Sequence, residues 1–241
     1  MHISKAVIFP TMKKLTLALL LTLSCATAWA ADFDKGLAAA EAGDYTTALS
    51  ELKPFAEQGN AVAQLLLGFM YRDGLGVIEN DEEAFRWFRL AAEQGVADAQ
   101  NSLGGMYEKG KGVIEDDKKA AKWRRLAAEQ GHAQAQLVLG VMYEDGVGVI
   151  EDNKEAVKWY RLAAEQGNAK AQSRLGFAYI LGLGVIQDSV YAHMWWNIAG
   201  ANGYEKARGY KGDLVKEMTP QDISKAQDLA RECVKKNYKD C

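Results

Sequence analysis

Few residues of this chain combine the types and the spacing that catalysis requires. The strongest candidate nucleophile is Ser50, which stands three residues before Lys53, the Ser-x-x-Lys spacing of enzymes that are acylated by β-lactams. Such an enzyme also needs a Ser-Asp-Asn or a Lys-Thr-Gly element, and the chain contains neither tripeptide. We therefore interpret the Ser50 spacing as coincidental and predict no catalytic residues.

The glycine pairs and the histidines suggest two further kinds of site, a phosphate-binding loop and a metal site. Gly-x-Gly occurs four times, beginning at Gly74, Gly110, Gly146 and Gly182. A phosphate loop follows a strand, whereas these glycines follow helix-like segments, so we predict turns instead. We interpret His132 and His193 as surface or packed histidines and predict no metal and no cofactor.

A 36-residue internal repeat organises most of the chain. Glu-Gln-Gly recurs at residues 57–59, 93–95, 129–131 and 165–167, and Ala201-Asn202-Gly203 follows one period later. A fixed period of this size is typical of solenoids, whose units bury their apolar faces against their neighbours. The predicted units are residues 60–95, 96–131, 132–167 and 168–203.

Each unit is predicted to be an antiparallel pair of helices joined by a Gly-x-Gly-Val-Ile turn. In the first unit, Ala63, Gln64, Leu67, Gly68 and Tyr71 share one helical face, with small residues where a second helix must approach. The second helix is predicted to follow a capping residue and to bury one tryptophan between two alanines. The capping residues are Asn80, Asp116, Asp152 and Asp188, and the tryptophans are Trp87, Trp123, Trp159 and Trp195.

Atypical segments flank the four units. Residues 31–59 are predicted to form a shorter capping helix pair, and residues 204–241 are predicted to form closing helices, with Thr219 as an N-cap before Pro220. A solenoid needs such end units, because they cover the faces that the outermost repeats would otherwise expose.

The N-terminus has the pattern of a cleaved export signal. Lys13 and Lys14 precede an apolar run at residues 15–23, and Ala28-Trp29-Ala30 offers a cleavage site. We predict a signal peptide at residues 1–30, with Met12 as an alternative start. The alternatives to cleavage are an uncleaved anchor and a lipoprotein signal ending at Cys25, and the apolar run is too short to span a bilayer.

Charge and cysteine content narrow the class of partner. The net charge is −3, and removing residues 1–30 takes away three lysines and no acid, which leaves 26 basic against 32 acidic residues. Such a field repels nucleic acid, so we predict no nucleic-acid partner. Export would place Cys233 and Cys241 in an oxidising compartment, where we expect a disulfide between them.

The repeated motifs resemble the Sel1-like repeat, a relative of the tetratricopeptide repeat with a longer turn. The resemblance rests on Ala-x-Ala-Gln-x-x-Leu-Gly-x-Met-Tyr, Gly-x-Gly-Val, Ala-x-x-Trp and Leu-Ala-Ala-Glu-Gln-Gly, and it covers residues 45–203. It implies an all-α, right-handed superhelical solenoid that acts in protein interaction. One cysteine-rich branch of the family is linked to penicillin binding and weak β-lactamase activity, but the four repeats here contain no cysteine.

The partner is predicted to bind the face of the first helices that varies between units. Positions that keep the same residue in all four units build the fold. Positions on a shared face that differ between units are free to recognise a partner. In related tetratricopeptide solenoids this face is concave. The predicted residues are Leu65, Phe69, Arg72, Asp73, Asn101, Glu108, Lys109, Leu137, Val141, Glu144, Asp145, Phe177, Ile180 and Leu181. Packing of these residues against neighbouring helices is the alternative.

Together these patterns predict an exported, non-enzymatic interaction module of the bacterial cell envelope that binds a protein or peptide. Two alternatives stay open, a β-lactam-binding enzyme and a structural or oligomerising envelope component. The sequence leaves the partner and the oligomeric state undetermined.

Overall fold

The computed structural model describes the backbone from Ala26 and the side chains from Phe33 to the C-terminus. Residues 1–25 of the predicted signal peptide lie outside the described residues. The predicted cleavage position after Ala30 falls inside the first helix, α1, which spans Ala26–Ala42.

Every regular element in the described part of the chain is helical. The helices that follow α1 are α2 (Tyr45–Glu57), α3 (Ala61–Asp73), α4 (Asp81–Glu93), α5 (Ala97–Lys109), α6 (Asp117–Glu129), α7 (Ala133–Asp145), α8 (Asn153–Glu165), α9 (Ala169–Leu181), α10 (Ser189–Ala201), α11 (Glu205–Leu214) and α12 (Pro220–Lys235). A 3₁₀ turn at Val215–Glu217 follows α11. Short turns join the helices into successive antiparallel pairs.

The chain divides into two compact units between Ala91 and Ala92. In the first unit, Leu52 and Leu67 are completely buried in a core that includes Trp87. The second unit repeats one arrangement, because Leu103, Leu139 and Leu175 of its first helices are each completely buried. The leucine column therefore forms the centre of each helix pair.

The predicted stripe on the second helices is largely confirmed. Its eight alanines are at most 2% exposed, and Trp87, Trp159 and Trp195 are buried. Trp123 is the exception, since its side chain is only partly buried. The tryptophans thus belong mainly to the core.

The Gly-x-Gly segments are turns, as predicted, and the two glycines of each turn have different structural roles. The first ends the preceding helix in the left-handed conformation, with φ of 68° at Gly146 and 70° at Gly182. The second also has positive φ and lies against the start of an earlier helix. A Cβ on Gly148 would stand 2.1 Å from the carbonyl oxygen of Asp117, and one on Gly184 would stand 2.2 Å from that of Asn153.

Side-chain caps begin most of the helices. Asp116, Asp152 and Asp188 accept hydrogen bonds from the first turns of the second helices, as predicted. The caps of the first helices were not anticipated, and they include a histidine. His132 Nδ1 accepts from the Ala135 amide at 3.0 Å, so the opposite ring nitrogen carries the hydrogen that it donates to Asp98 at 3.1 Å.

The C-terminal tail folds back onto α12. The structure pairs Cys233 with Cys241, whose Cα atoms are 5.5 Å apart. Between them, Tyr238 packs against the core of the second unit and its hydroxyl donates to Asn202 Oδ1 at 3.1 Å. The tail is thereby anchored to α12 by the cysteine pair and to the end of α10 by the Tyr238 hydrogen bond.

Candidate partner-binding surface

The first-helix face of the second unit contains a cavity of about 460 Å³. It lies between α7 and α9 and is closed on one side by the start of α11. Its lining residues are Gln134, Leu137, Val138, Val141, Lys170, Ser173, Arg174, Phe177, Tyr204 and Tyr210. Three of the residues predicted from internal variation, Leu137, Val141 and Phe177, therefore lie together in one depression.

The floor of the cavity is apolar and held by aromatic contacts. Leu137 is 5% exposed, and Phe177 meets Trp196 and Tyr210 edge to face, with ring centroids 5.1 and 4.8 Å apart. The indole nitrogen of Trp196 donates to the carbonyl oxygen of Ser173 at 3.1 Å. These interlocked rings make the floor a preformed surface.

The rim of the cavity is polar and carries positive charge. Arg174 pairs with Glu144 at 3.0 Å, and the other oxygen of Glu144 accepts from the Tyr160 hydroxyl. Burial, together with the nearby Glu144 carboxylate, raises the pKa of Tyr160, so its hydroxyl stays protonated and donates. None of the residues lining the cavity is acidic, and the exposed Lys170 is left as the cation at the rim.

Four predicted residues of the third and fourth repeats lie outside the cavity lining. Glu144 pairs with Arg174, which does line the cavity, and Asp145 is exposed at the end of α7. Ile180 packs into the core cluster around Trp196, as the packing alternative expected, whereas Leu181 is 62% exposed at the end of α9.

In the second repeat the same face is polar. Glu108 accepts from Arg124 at 2.7 Å, and this hydrogen bond to the Arg124 guanidinium lowers the pKa of Glu108. Arg124 is only 5% exposed, and its Nε atom has no hydrogen-bond partner in the described structure. Asn101 is partly exposed and Lys109 is exposed.

In the first unit, the four predicted residues mostly contact one another or the core. Leu65 is 8% exposed, and the ring of Phe69 meets that of Phe88 edge to face at 5.1 Å. The Arg72 guanidinium lies 4.8 Å above the Phe69 ring and pairs with Asp73 at 2.7 Å. This arrangement covers Phe69 and leaves mainly the charged pair for a partner.

One column that shapes this face was missed from the sequence. It lies on the second helices, where Phe88, Arg124, Tyr160 and Trp196 pack against the glycines at 68, 104, 140 and 176. The predicted partner face comprised first-helix positions alone. The signal was nevertheless present, since this column changes in every unit beside an unchanging glycine. Tyr204 and Tyr210 were missed because they lie beyond the repeats.

The residues considered for catalysis or metal binding have structural roles. The Ser50 hydroxyl donates to the Thr47 carbonyl at 2.8 Å within α2. His132 caps α7, and His193 is 2% exposed. Within the described residues there is no group of three or more His, Cys, Asp or Glu side chains placed to hold a metal ion. In that same part of the chain, no helix is both long and apolar enough to cross a membrane.

Comparison with known proteins decides the family. Four consecutive stretches, residues 61–96, 97–132, 133–168 and 169–204, match the Sel1 repeat family model. The chain belongs to the Sel1 repeat family. The predicted fold, an all-α solenoid of successive antiparallel helix pairs, is confirmed by these matches and by the helices themselves.

Two solved structures extend the family relationship. A Sel1 repeat protein from Oxalobacter formigenes is 36% identical with a TM-score of 0.75, over 86% of this chain and 83% of the other. A protective antigen of uropathogenic Escherichia coli strains, described as displaying an SLR fold, is 32% identical with a TM-score of 0.76. That match covers 87% of this chain but 46% of the antigen, so the chain spans about half of that relative. No match is found among curated proteins.

Sel1 repeat proteins generally serve as protein-interaction modules, and their fold is typically a non-enzymatic scaffold. The prediction of a protein-interaction module is supported at this level.

Proposed function

We propose that this Sel1 repeat protein is a non-enzymatic adaptor of the bacterial cell envelope that binds an extended peptide segment of its partner in the cavity between α7 and α9. The observation that carries the proposal is the cavity itself, about 460 Å³ with an apolar floor and a polar rim. Binding pockets have this size and this division between apolar walls and a few placed polar groups.

The lining specifies the chemistry of the peptide. Leu137, Val141 and Phe177 offer a dry contact for one or two apolar side chains. Lys170 adds a cation at the rim, while the Arg174 charge is already balanced by Glu144. The proposed ligand therefore carries an apolar anchor followed by a carboxylate that reaches Lys170.

The envelope location rests on the sequence pattern of residues 12–30 and on the two paired cysteines. A basic segment, a short apolar run and Ala28-Trp29-Ala30 have the order of a cleaved signal. Cys233 and Cys241 are paired, an arrangement that persists outside the reducing cytosol. Both features support export of the adaptor.

A peptide selection tests the proposal directly. The purified protein is presented with a phage-displayed library of random 12-residue peptides, and enriched peptides are measured by fluorescence anisotropy. We expect peptides that combine apolar residues with Asp or Glu. A double variant, Gln134→Glu and Lys170→Glu, should bind them at least about tenfold more weakly, because it reverses the charge of the rim.

The substitutions were chosen to leave the fold intact. Gln134 and Lys170 are both exposed, whereas replacing Phe177 would remove an aromatic contact from the core. Lys225→Glu with Gln227→Glu, two exposed changes on α12 that alter the net charge by the same amount, is the matched control and should bind as the wild type does. Equal binding by the wild type and the double variant would place the peptide elsewhere and remove the cavity from the proposal.

A further inference from the structure

The isoleucine of every Gly-x-Gly-Val-Ile turn points into solvent. Ile78, Ile114 and Ile150 are each 88% exposed and Ile186 is 89% exposed. The valine just before each isoleucine is only partly exposed, and Val185 packs against the core of the second unit. The turn thus uses its valine for packing, while the isoleucine contributes almost nothing to the core.

These side chains are the most exposed of the large apolar residues in the described structure. An isolated exposed apolar residue is ordinary, but the same residue in the same setting in every repeat is not explained by chance exposure. Repetition here does not serve the fold, because an 88% exposed side chain gains little from burial. The repeated isoleucine is a candidate for recognition.

In the second unit, the turns bring three isoleucines to one edge. The turns after α5, α7 and α9 lie at the same end of successive helix pairs. Neighbouring pairs are locked together there, since Gly148 lies against Asp117 and Gly184 lies against Asn153. Ile114, Ile150 and Ile186 therefore form a row, which we call the isoleucine edge. No residue that lines the cavity belongs to this edge.

Acidic side chains follow two of the three isoleucines directly, whereas the turn before Ile114 also carries the exposed Lys111 and Asp116 pairs with Lys119 at 3.2 Å. Ile114 is followed by Glu115 and Asp116, Ile150 is followed by Glu151 and Asp152, and Ile186 is followed by Gln187 and Asp188. Glu115, Glu151 and Asp152 are exposed. A matching partner must offer apolar side chains with cations beside them, because carboxylates left against an apolar or anionic surface would lose their hydration without compensation.

We propose that the isoleucine edge is a second interaction surface, which binds a cationic amphipathic segment of another protein. The exposed carboxylates of Glu115, Glu151 and Asp152 oppose anionic lipid and so favour a protein ligand over a membrane surface. Three side chains cover far less than the ~800 Å² per partner of a standard stable interface, which favours a short segment over a second folded copy. The cavity and the edge would let one molecule hold two different partners.

A labelled peptide provides the test. The probe is a fluorescein-labelled 12-residue peptide of alternating Leu and Lys, compared with Leu-Glu and Ser-Lys peptides of the same length. We expect the Leu-Lys peptide to bind at least about tenfold more tightly than either comparator. The triple variant Ile114→Ser, Ile150→Ser and Ile186→Ser should lose about tenfold or more in affinity, with each single change producing a smaller loss.

Matched variants separate the contributions. Val234→Ser removes an exposed apolar residue from α12, 48% exposed, and should leave binding unchanged. A double variant, Glu115→Gln and Glu151→Gln, gives these two turns the amide that the third turn already has at Gln187. It should bind the Leu-Lys peptide more weakly, and its binding should depend less on salt concentration. Lys170→Glu, which alters the cavity, should not weaken it.

Four results would overturn the proposal. One is equal binding of the Leu-Lys peptide by the wild type and the triple variant, with circular dichroism showing both folded. Another is equal binding of the Leu-Glu peptide by the wild type. Self-association in sedimentation that disappears in the triple variant would make a second copy the occupant. Binding to phosphatidylglycerol vesicles that disappears in the triple variant would make the occupant a lipid surface.

Discussion

At the scale of single residues, Arg124 is the charged residue at a second-helix position that is aromatic in the other three repeats. Phe88, Tyr160 and Trp196 fill the equivalent places with rings, each close to a glycine of the first helix. Arg124 also lies over its glycine, since a Cβ on Gly104 would stand 2.7 Å from Arg124 Cγ. Its guanidinium is buried, and its one carboxylate partner is Glu108 at 2.7 Å within the described structure.

Removing that carboxylate should destabilise the protein. We expect Glu108→Gln to lower the free energy of unfolding by about 1–3 kcal/mol, because it leaves a buried cation without its counter-charge while part of Glu108 already faces water. Urea denaturation monitored by circular dichroism measures the difference. Glu115→Gln, at an exposed acid without this partner, is the control and should change stability by less than about 0.5 kcal/mol.

The effect of Glu108→Gln should depend on pH. Arg124 lowers the pKa of Glu108 in the folded protein below the ordinary value of 4.5, so folding favours the ionised form. The stabilisation is present above pH 4.5 and is lost as the pH falls through the lowered folded-state pKa. The wild type and the variant should therefore converge in stability under acid conditions. A difference that stayed constant down to pH 2 would mean that lost packing, not charge, causes the effect.

At the scale of elements, a ladder of amides links each first helix both to the second helix of the preceding pair and to the end of its own partner helix. In the second unit, Gln136 Nε2 donates to the Ala128 carbonyl at 3.0 Å, and its Oε1 accepts from Gln166 at 2.8 Å. Gln100 with Gln130, and Gln172 with Asn202, repeat the second of these bonds. The ladder satisfies carbonyl groups at the ends of the second helices and explains why glutamine recurs both in the helix and in Glu-Gln-Gly.

The second glycine of each turn makes the other contact between pairs, and it supplies an element-scale prediction. Gly148→Ala would place a methyl group 2.1 Å from the Asp117 carbonyl oxygen. Gly131→Ala also needs positive φ, at +88°, but has nothing within 4 Å. We expect Gly131→Ala to cost about 1–2 kcal/mol from backbone conformation alone, and Gly148→Ala to cost clearly more in thermal or urea unfolding. Equal costs would show that the close approach is relieved without penalty.

Part of this architecture could be predicted from the sequence, and part could not. The 36-residue period, the capping aspartates and the buried Ala and Leu columns were predictable, because each is a local pattern that recurs. The need for glycine at position 148 was not predictable, because the residue that Gly148 lies against, Asp117, belongs to the preceding repeat. The same limit applies to the candidate site. Leu137, Val141 and Phe177 were predicted on one face, but Tyr204 and Tyr210 were missed because α11 lies outside the repeat pattern.

Burial was the property hardest to predict for the candidate site. Phe69 and Phe177 occupy equivalent places and were expected to line one groove. Phe69 is covered by Arg72, whereas Phe177 lies in a cavity completed by Tyr210. The difference comes from neighbours on other elements, which a repeat column does not reveal.

At the scale of the whole molecule, closing helices cover the core layer of the last repeat. α12 packs against α10, and Ala226, Ala230 and Cys233 form its buried stripe. The tail then reverses through three residues with positive φ, Asn237, Tyr238 and Asp240, none of which is glycine. A left-handed conformation at such residues is unfavourable, so other contacts must hold it, and the Cys233–Cys241 pair and the Tyr238 hydrogen bond are placed to do so.

Export and the cysteine pair make one joint prediction about the mature protein. We expect its intact mass to correspond to a chain that begins at Ala31 and lacks two thiol hydrogens, and alkylation without prior reduction should add no label. Closing this short loop should stabilise the fold by roughly 2–3 kcal/mol, so reduction, or Cys241→Ser, should lower the unfolding free energy by that amount. The loss should appear first as faster hydrogen exchange in α12, because the cysteine pair joins the tail to α12 and the Tyr238 hydrogen bond joins it to the end of α10. Two added labels on the unreduced protein would rule out the bridge in the exported form, and a diacylated Cys25 would replace the cleaved signal with a lipid anchor.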